Sequence, residues 1–241
     1  MADNMTNLRA QLIGCRACSR LVEHREEVAR ERRRAYRDQC YWGRPVPGFG
    51  PVRARLVVVG LAPGAHGSNR TGRMFTGDAS GDFLYRTMHE FGFASQSRAV
   101  SRSDGLRLID AFVTAVARCV PPANKPTPEE LQRCGPFLRR ELLLLRAARV
   151  YVALGQIAFI RLCAGLSDIG RAPVSTRPRF MHGAEFTLDG GEHWLLASYH
   201  PSRQNTQTGR LTREMFGSVF RRARALIDGR SATLSRVKAD S

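Results

Sequence analysis

The stretch Leu56-Val-Val-Val-Gly60-Leu-Ala-Pro63-Gly-Ala-His66 joins an unbroken apolar run to a loop rich in glycine. A short, continuously apolar run of β-branched residues is typical of a parallel strand covered on both faces. Three later runs share this character: Ala111–Ala117, Val150–Leu154 and Trp194–Tyr199. Helical patterns separate the runs, at Gly81–Phe91, Pro128–Ala148 and Gln156–Leu162. The alternation predicts an α/β protein, a three-layer α/β/α fold with a small four-stranded parallel sheet.

Length and composition indicate one domain. The chain has 241 residues, of which 43% are hydrophobic, and this suits a single folded unit over residues 1–227. Residues 6–39 have a helical pattern, so residues 1–40 are predicted to form an N-terminal helical segment, and polar residues 228–241 a mobile tail. No apolar run approaches the ~20 residues that cross a bilayer, and no secretory signal is present. A cytoplasmic monomer without membrane contact is expected.

The charge points to a polyanionic partner. Lys and Arg number 38 against 21 Asp and Glu, a formal net charge of +17. Nearly all the cations are arginine, whose planar guanidinium suits phosphate. An arginine-rich composition also arises from a GC-rich genome, so the charge favours nucleic acid without establishing it.

Four segments follow the predicted strands and should meet at one edge of the sheet, where α/β proteins bind ligands. They are the first loop, Ala62–Asp78; Arg118–Lys125; Gly155-Gln156; and the last loop, His200–Leu211. The first loop lacks the Gly-Lys-Ser/Thr of a nucleotide P-loop, but its glycines allow a ligand to approach the backbone closely. The last loop opens with His200-Pro-Ser202, and the proline ends the strand beside the imidazole.

These two motifs together resemble the uracil-DNA glycosylase superfamily, which has a Gly-x-x-Pro first motif and a His-Pro-Ser last motif. The detail is similar to family 5, the B-type enzymes of bacteria and archaea, in Asn69-Arg-Thr-Gly-Arg-Met-Phe-Thr-Gly-Asp78 and His200-Pro-Ser-Arg-Gln-Asn-Thr206. The similarity extends over roughly residues 10 to 225. It implies a pocket for a flipped base formed by Gly60, Ala62, Pro63, Gly64, His66, Phe75 and Ala115.

Two positions depart from better-known members of the superfamily. Many relatives carry a polar or acidic residue within the first motif, where this chain has Leu61 and Ala62. Many also have an asparagine that pairs with the uracil edge, at the position of Ala115. Asn124 could supply the missing amide. Both departures accord with family 5 and imply a roomier pocket that is less exclusive for uracil.

The chemistry of the reaction assigns further roles. A base must be flipped out of the duplex before it can be cleaved, and the resemblance makes Phe75 the floor on which it stacks. Bond cleavage leaves negative charge on the base, to which His200 would donate a hydrogen bond. A carboxylate must orient water or stabilise the cationic sugar. Asp78 is the first choice for it and Asp82 the second. The alternative for Asp78 is a helix N-cap.

The resemblance also implies where DNA binds. In the superfamily the last loop enters the minor groove and fills the gap that the flipped base leaves. The corresponding residues here are Ser202, Arg203, Gln204 and Asn205. Lys125 and Arg210 are further candidates for phosphate contacts.

The cysteines indicate a metal site. Cys15 and Cys18 form a C-x-x-C pair, and Cys119 and Cys134 lie around the segment after the second strand. From spacing alone, four thiolates suit either zinc or an iron–sulfur cluster. Family 4 and family 5 enzymes hold a [4Fe–4S] cluster with this arrangement, so the resemblance favours a structural cluster. Cys40 and Cys163 have no partner at ligand spacing.

The sequence therefore predicts a monofunctional DNA-repair glycosylase that acts on double- and single-stranded DNA and associates with the nucleoid when bound. Its expected substrates are uracil, hypoxanthine, ethenocytosine and thymine opposite guanine. The alternatives are a strictly uracil-specific family 4-type enzyme and a non-catalytic, metal-stabilised DNA-binding module.

Overall fold

The computed structural model describes residues 4–174 and 178–229. Its centre is a sheet of five strands in the order β2-β1-β3-β5-β4. The strands are β1 (Leu56–Gly60), β2 (Ala111–Ala115), β3 (Val150–Leu154), β4 (Glu185–Leu188) and β5 (His193–Ser198). Strands β2, β1, β3 and β5 run parallel, while β4 pairs antiparallel with β5.

The α/β class is confirmed, but the prediction of four parallel strands was wrong by one strand. The strand that was missed, β4, has only four residues, Glu-Phe-Thr-Leu, and all but the last are partly or fully exposed. An antiparallel edge strand with one solvent-exposed face lacks the continuous run of apolar residues that is typical of a central strand. The turn Asp189-Gly190-Gly191, which leads into β5, is the signal that could have revealed the hairpin.

The helices are α1 (Met5–Ile13), α2 (Ser19–Glu31), α3 (Ser68–Thr71), α4 (Ala79–Glu90), α5 (Pro128–Leu144), α6 (Gln156–Ser167), α7 (Arg203–Gln207) and α8 (Arg213–Ile227). Short 3-10 turns span Arg34–Tyr36 and Pro122–Asn124. Two apolar cores lie on opposite faces of the sheet. Helices α4 and α8 contribute to one, and α1, α5 and α6 to the other. These are the three layers that the sequence predicted.

Alternation along β1 shows how the sequence builds both cores. Leu56 and Val58 belong to the core beneath α4 and α8, whereas Val57 and Val59 belong to the opposite one. Successive side chains of a strand point to opposite faces, so a central strand covered on both sides must be apolar at every position.

The N-terminal segment is helical, but it is not one helix over 6–39. Gly14 ends α1, and the backbone between Gly14 and α2 is not helical. That break contains Cys15 and Cys18. Helix α2 contacts α5 through Arg20, which forms an ion pair with Glu130 at 2.8 Å. The interruption thus presents the C-x-x-C pair toward α5.

Of the tail predicted over 228–241, residues 230–241 lie outside the described part of the chain. Within the described ranges, every helix is too short or too polar to cross a bilayer.

Candidate active site

A buried aromatic ring lies at the carboxyl end of β1, where the sequence predicts the pocket for the base. Phe75 is 7% exposed, and its backbone adopts a φ of +52°. Its ring lies against Gly60, where a Cβ would stand 2.6 Å from Cζ of Phe75. Glycine at the end of β1 therefore lets the ring lie directly on the sheet. The Phe75 N–H donates to Oγ of Ser68 at 2.9 Å and fixes the strained residue.

His200 lies opposite this ring. The centroids of the His200 and Phe75 rings are 5.9 Å apart, with 30° between their planes. Burial lowers the pKa of His200 to about 4, so the imidazole is neutral at physiological pH. Its backbone carbonyl accepts hydrogen bonds from Nδ2 of Asn205 and the N–H of Ser202, each at 2.8 Å. The last loop thereby fixes the backbone of His200, and the neutral imidazole carries one N–H.

Asp78 occupies the end of the first loop and begins α4. Its Oδ1 accepts from the Gly81 N–H at 2.9 Å, so the predicted N-cap alternative is confirmed. Its Oδ2 faces the first loop, close to Gly64 and Gly67. Burial raises the pKa of Asp78, and the hydrogen bond from Gly81 opposes that shift. Capping employs one oxygen and leaves the other directed toward the pocket loop.

An arginine that the sequence did not single out holds the first loop together. Arg70 is 8% exposed. Its Nε donates to the His66 carbonyl at 2.6 Å and its Nη2 to the Gly77 carbonyl at 3.0 Å. The guanidinium also lies 4.0 Å from the ring centre of Tyr36. It therefore ties the middle of the loop to the residue before Asp78.

His66 contacts the segment that follows α2. Its Nδ1 forms a hydrogen bond with the Tyr41 hydroxyl at 3.1 Å. Burial lowers the pKa of His66, and the nearby Arg33 and Arg70 lower it further. Tyr41 was not predicted to take part. Its place after the exposed Cys40 gave no periodic or motif signal.

The remaining pocket residues form an apolar rim. Ala115 is 1% exposed and ends β2, where the next residue, Val116, donates its N–H to the Gly60 carbonyl at 3.0 Å. The other predicted lining residues of the first loop follow β1 directly; Pro63 is buried and Ala62 and Gly64 are half-buried.

Two candidate side chains, those of Asp82 and Asn124, are exposed. Asp82 lies on α4, and Asn124 lies on the 3-10 turn with a φ of +57°. Neither side chain forms a hydrogen bond within residues 4–174 and 178–229. Lys125, beside Asn124, is also exposed, and its carbonyl accepts from Nη2 of Arg20. The geometry thus brings Asp78, rather than Asp82, to the first loop.

The predicted DNA-contacting residues lie on α7 and its N-cap. Ser202 caps this helix by accepting from the Asn205 N–H at 3.3 Å. Arg203 and Gln204 are exposed, and Asn205 is half-buried because it supports His200. Arg210 lies over Tyr199, with its guanidinium 4.8 Å from the ring centre.

Four cysteines line a single cavity between the N-terminal helices and α5: Cys15, Cys18, Cys119 and Cys134. Burial raises the pKa of the Cys119 and Cys134 thiols, so thiolates here need a positive partner. Arg25 is 2% exposed and donates from Nη1 to Sγ of Cys119 at 3.0 Å. Its Nε is buried without a hydrogen-bond partner. A sulfur donor set beside a buried guanidinium fits an anionic metal–thiolate group.

Across the described ranges, no three His, Cys, Asp or Glu side chains are arranged to hold one metal ion. Cys163 lies on α6 and Cys40 in the segment after α2, neither of them on this cavity.

Comparison with known proteins agrees with this fold. The model of the uracil DNA glycosylase superfamily matches residues 47–224. A type-5 uracil-DNA glycosylase of Thermus thermophilus is 57% identical over 217 residues, which are 89% of this chain and 94% of that protein. A type-5 enzyme of Mycobacterium tuberculosis is 49% identical over 226 residues, 93% and 82% of the two chains. A type-4 enzyme of Archaeoglobus fulgidus is 33% identical over 160 residues, 65% and 70%.

The α/β sheet, with Phe75 and His200 facing each other at its carboxyl edge, is that of a DNA glycosylase. The chain belongs to the uracil-DNA glycosylase superfamily, and its type-5 relatives confirm the resemblance seen in the two loops. Membership makes it a DNA-repair hydrolase that acts on N-glycosyl bonds, with DNA as its partner.

Proposed function

We propose that this protein excises uracil and a wider set of deaminated or damaged bases from DNA, namely hypoxanthine, ethenocytosine and thymine opposite guanine. The observation that carries the proposal is the facing pair of His200 and Phe75 at the carboxyl edge of the sheet, where the apolar residues Ala62 and Pro63 follow β1 and Ala115 ends β2. Ala115, at the end of β2, has no polar group with which to select the uracil edge. Such a pocket favours a flat, flipped base without requiring one hydrogen-bonding pattern.

His200 stabilises the departing base. Cleavage of the N-glycosidic bond places negative charge on the base, and a donor already aimed at the developing oxyanion lowers the barrier. A neutral imidazole suits this task, because it donates an N–H without delivering a full proton to the base. The low pKa of His200, about 4, keeps it neutral.

Asp78 acts on the sugar side. As the base departs, the sugar gains cationic character, which a carboxylate stabilises while it orients water. The Oδ2 of Asp78 lies beside the first loop, and Oδ1 is held by the Gly81 N–H. A carboxylate anchored at one oxygen keeps the other in place, so little reorganisation is needed during the reaction.

The pocket also explains why substrates other than uracil are expected. Leu61 and Ala62 are apolar in the first motif, so the acid must come from Asp78 further along the loop. An apolar wall discriminates weakly among bases of different shape, whereas a hydrogen-bonded wall rejects them strongly. Asn124, on its exposed turn, would add an amide if DNA binding brings that turn over the pocket.

Release of free base tests the function. The full-length protein is incubated with duplexes that carry uracil, hypoxanthine or ethenocytosine, or thymine opposite guanine, and with a single-stranded uracil substrate. We expect release of all four bases. Release of uracil alone would establish the strictly uracil-specific alternative. Tight binding without release of any base, at excess enzyme, would establish the non-catalytic module.

We further propose that Cys15, Cys18, Cys119 and Cys134 hold a structural [4Fe–4S] cluster. Four thiolates from the α1–α2 break, the segment after β2 and α5 would surround one group, and Arg25 would offset part of their negative charge. When bound, the cluster supplies a cross-link between the N-terminal helices and the sheet. Hydrolysis of a glycosidic bond transfers no electrons, so the reaction requires no redox step.

Metal content tests the cluster. Protein purified without oxygen should be brown and contain iron and acid-labile sulfide in a four-to-four ratio expected for a cube. Cys119→Ala should lose the colour and unfold at lower temperature, while the matched variant Cys163→Ala should keep its iron. Colourless protein with one zinc per chain would contradict the proposal and support the tetrahedral zinc alternative.

A further inference from the structure

A groove beside the pocket is lined by four arginines: Arg86 on α4, Arg98 on the following loop, Arg203 on α7 and Arg213 on α8. We call it the arginine groove. Ala79, the residue after Asp78, also lines it. Arg203 follows His200 on the last loop. The groove therefore includes residues that lie near Asp78 and His200 in the sequence, together with part of α4.

Three of these cations are free to bind a ligand. Arg86, Arg98 and Arg203 are exposed, and they form no ion pair within the described part of the chain. Arg213 reaches Glu90 at 3.7 Å, between two largely exposed side chains. Asp82 is the acidic residue that lines the groove. By contrast, buried arginines such as Arg118 are engaged by carboxylates, here Glu141 at 2.6 Å. Four arginines against Asp82 and Glu90 leave the groove with a net positive charge.

We propose that the arginine groove binds backbone phosphates of the damaged strand on one side of the flipped nucleotide. The inference rests on the proposed function, because it requires a nucleotide whose base stacks on Phe75 within reach of His200. The groove lies between residues of the last loop and the N-terminal part of α4, so a strand that leaves such a nucleotide can enter it. Guanidinium groups bind phosphate oxygens in planar, two-point contacts. Contacts of this kind set the position of a strand without reading its sequence.

The proposal differs from a general attraction by the net charge of +17. General attraction would be weakened equally by the loss of any two exposed cations. A specific track is weakened only by the loss of cations on it. Arg146 and Arg149 offer the matched control. They are exposed, they form no ion pair in residues 4–174 and 178–229, and they precede β3 at the opposite end of the sheet.

The experiment compares the double variant Arg86→Gln/Arg98→Gln with Arg146→Gln/Arg149→Gln. Affinity for a duplex with a central abasic-site analogue is measured over a series of salt concentrations. Each phosphate contact contributes about 0.9 to the slope of log affinity against log salt on duplex DNA. The groove variant should reduce the slope by about 1.8, and the control variant should leave it near the wild-type value. Thermal unfolding of both variants verifies that they are folded.

Shortened duplexes then locate the track. With the lesion near one end of the duplex, wild type and groove variant should differ in affinity when one flank is present and become alike when that flank is removed. Equal loss of slope in both double variants, or an unchanged slope in the groove variant, would overturn the proposal. Base release by the wild-type protein from the same duplexes carrying uracil is measured in parallel. Its absence would refute the proposed function whatever the slopes show.

Discussion

A Cβ on Gly67 would stand 1.9 Å from Oδ2 of Asp78. No side chain fits at that position unless the carboxylate moves. A Cβ on Gly64 would also approach this oxygen, to 2.9 Å. The glycines of the first loop thus have a specific purpose: the loop backbone packs directly against the acid at the start of α4. The position of the proposed acid is set by the absence of side chains opposite it.

Gly67→Ala should therefore slow base excision by displacing Asp78. A shift of about 1 Å in a catalytic group costs on the order of 100-fold in rate, and we expect a loss of this size in single-turnover experiments with uracil duplex. Gly217→Ala is the control, since a Cβ there meets Phe91 at an ordinary 3.5 Å. A wild-type rate in Gly67→Ala would show that the observed position of Asp78 is not needed for catalysis.

The pH dependence of the rate separates the two candidate acids. Asp78 must be ionised to act, and burial raises its pKa, so the wild-type rate should rise with pH through a midpoint above the ordinary value of about 3.9 for aspartate. Asp78→Asn keeps a good helix cap, yet should lower the rate and abolish this acid limb. Asp82→Asn should retain the limb. Loss of the limb in Asp82→Asn instead would assign the role to Asp82.

His200→Ala should remove the donor to the departing base. Loss of a single oxyanion donor costs about 100- to 1,000-fold in rate, and we expect a reduction in this range under single-turnover conditions. Affinity for an abasic-site duplex, which lacks the base, should change little. Because the pKa of His200 is about 4, the wild-type rate should not fall between pH 6 and 9 through its titration. A marked fall that disappears in His200→Ala would show that the charged form is required.

The strands of the parallel sheet were predictable because they are almost continuously apolar. Val150–Leu154 was placed with its observed bounds, and the predicted runs Leu56–Leu61, Ala111–Ala117 and Trp194–Tyr199 differed from the observed strands by one or two residues at their ends. Strand β4 was missed because it is an edge strand of four residues, most of them partly or fully exposed, and such a strand carries little periodic signal. The break between α1 and α2 was also missed, because charged helical spacing continues on both sides of Gly14.

The two loops were predictable as a pair, since both follow parallel strands and so end at one edge of the sheet. The contacts that hold each loop in its conformation could not be predicted. Arg70 and Arg25 are two among many arginines in a strongly basic chain, and composition gives no means of separating a buried guanidinium from a surface one. The φ of +52° at Phe75 likewise depends on contacts with Gly60 and Ser68 that exist only in the folded chain.

A second buried arginine supports the first loop from outside the pocket. Arg73 is 4% exposed and donates to both oxygens of Asp104, at 2.9 and 2.7 Å. Burial alone would raise the pKa of Asp104. Hydrogen bonds from Arg73 and from the N–H groups of Leu106, Val100 and Ser101 outweigh it and lower the pKa to about 2.

This ion pair makes the free energy of unfolding depend on pH in the acidic range. A carboxylate whose pKa is depressed by folding stabilises the protein above its unfolded pKa, about 3.9, and that contribution is lost as pH falls toward 2. Asp104→Asn leaves Arg73 buried without a charged partner and should be less stable than wild type at pH 6. The difference in unfolding free energy should narrow by about 2 kcal/mol as the pH falls from 6 to 2.

Urea unfolding of both proteins at each pH measures this difference. The control is Asp168→Asn, because Asp168 is exposed after α6 and forms no ion pair among the described residues. Its difference from wild type should not change with pH. If the difference in unfolding free energy between Asp104→Asn and wild type also stayed constant with pH, the ion pair would not be the source of the acid sensitivity. The narrowing that we expect would assign the acid sensitivity to the ion pair of Asp104 with Arg73, which joins the first loop to residues 100–106.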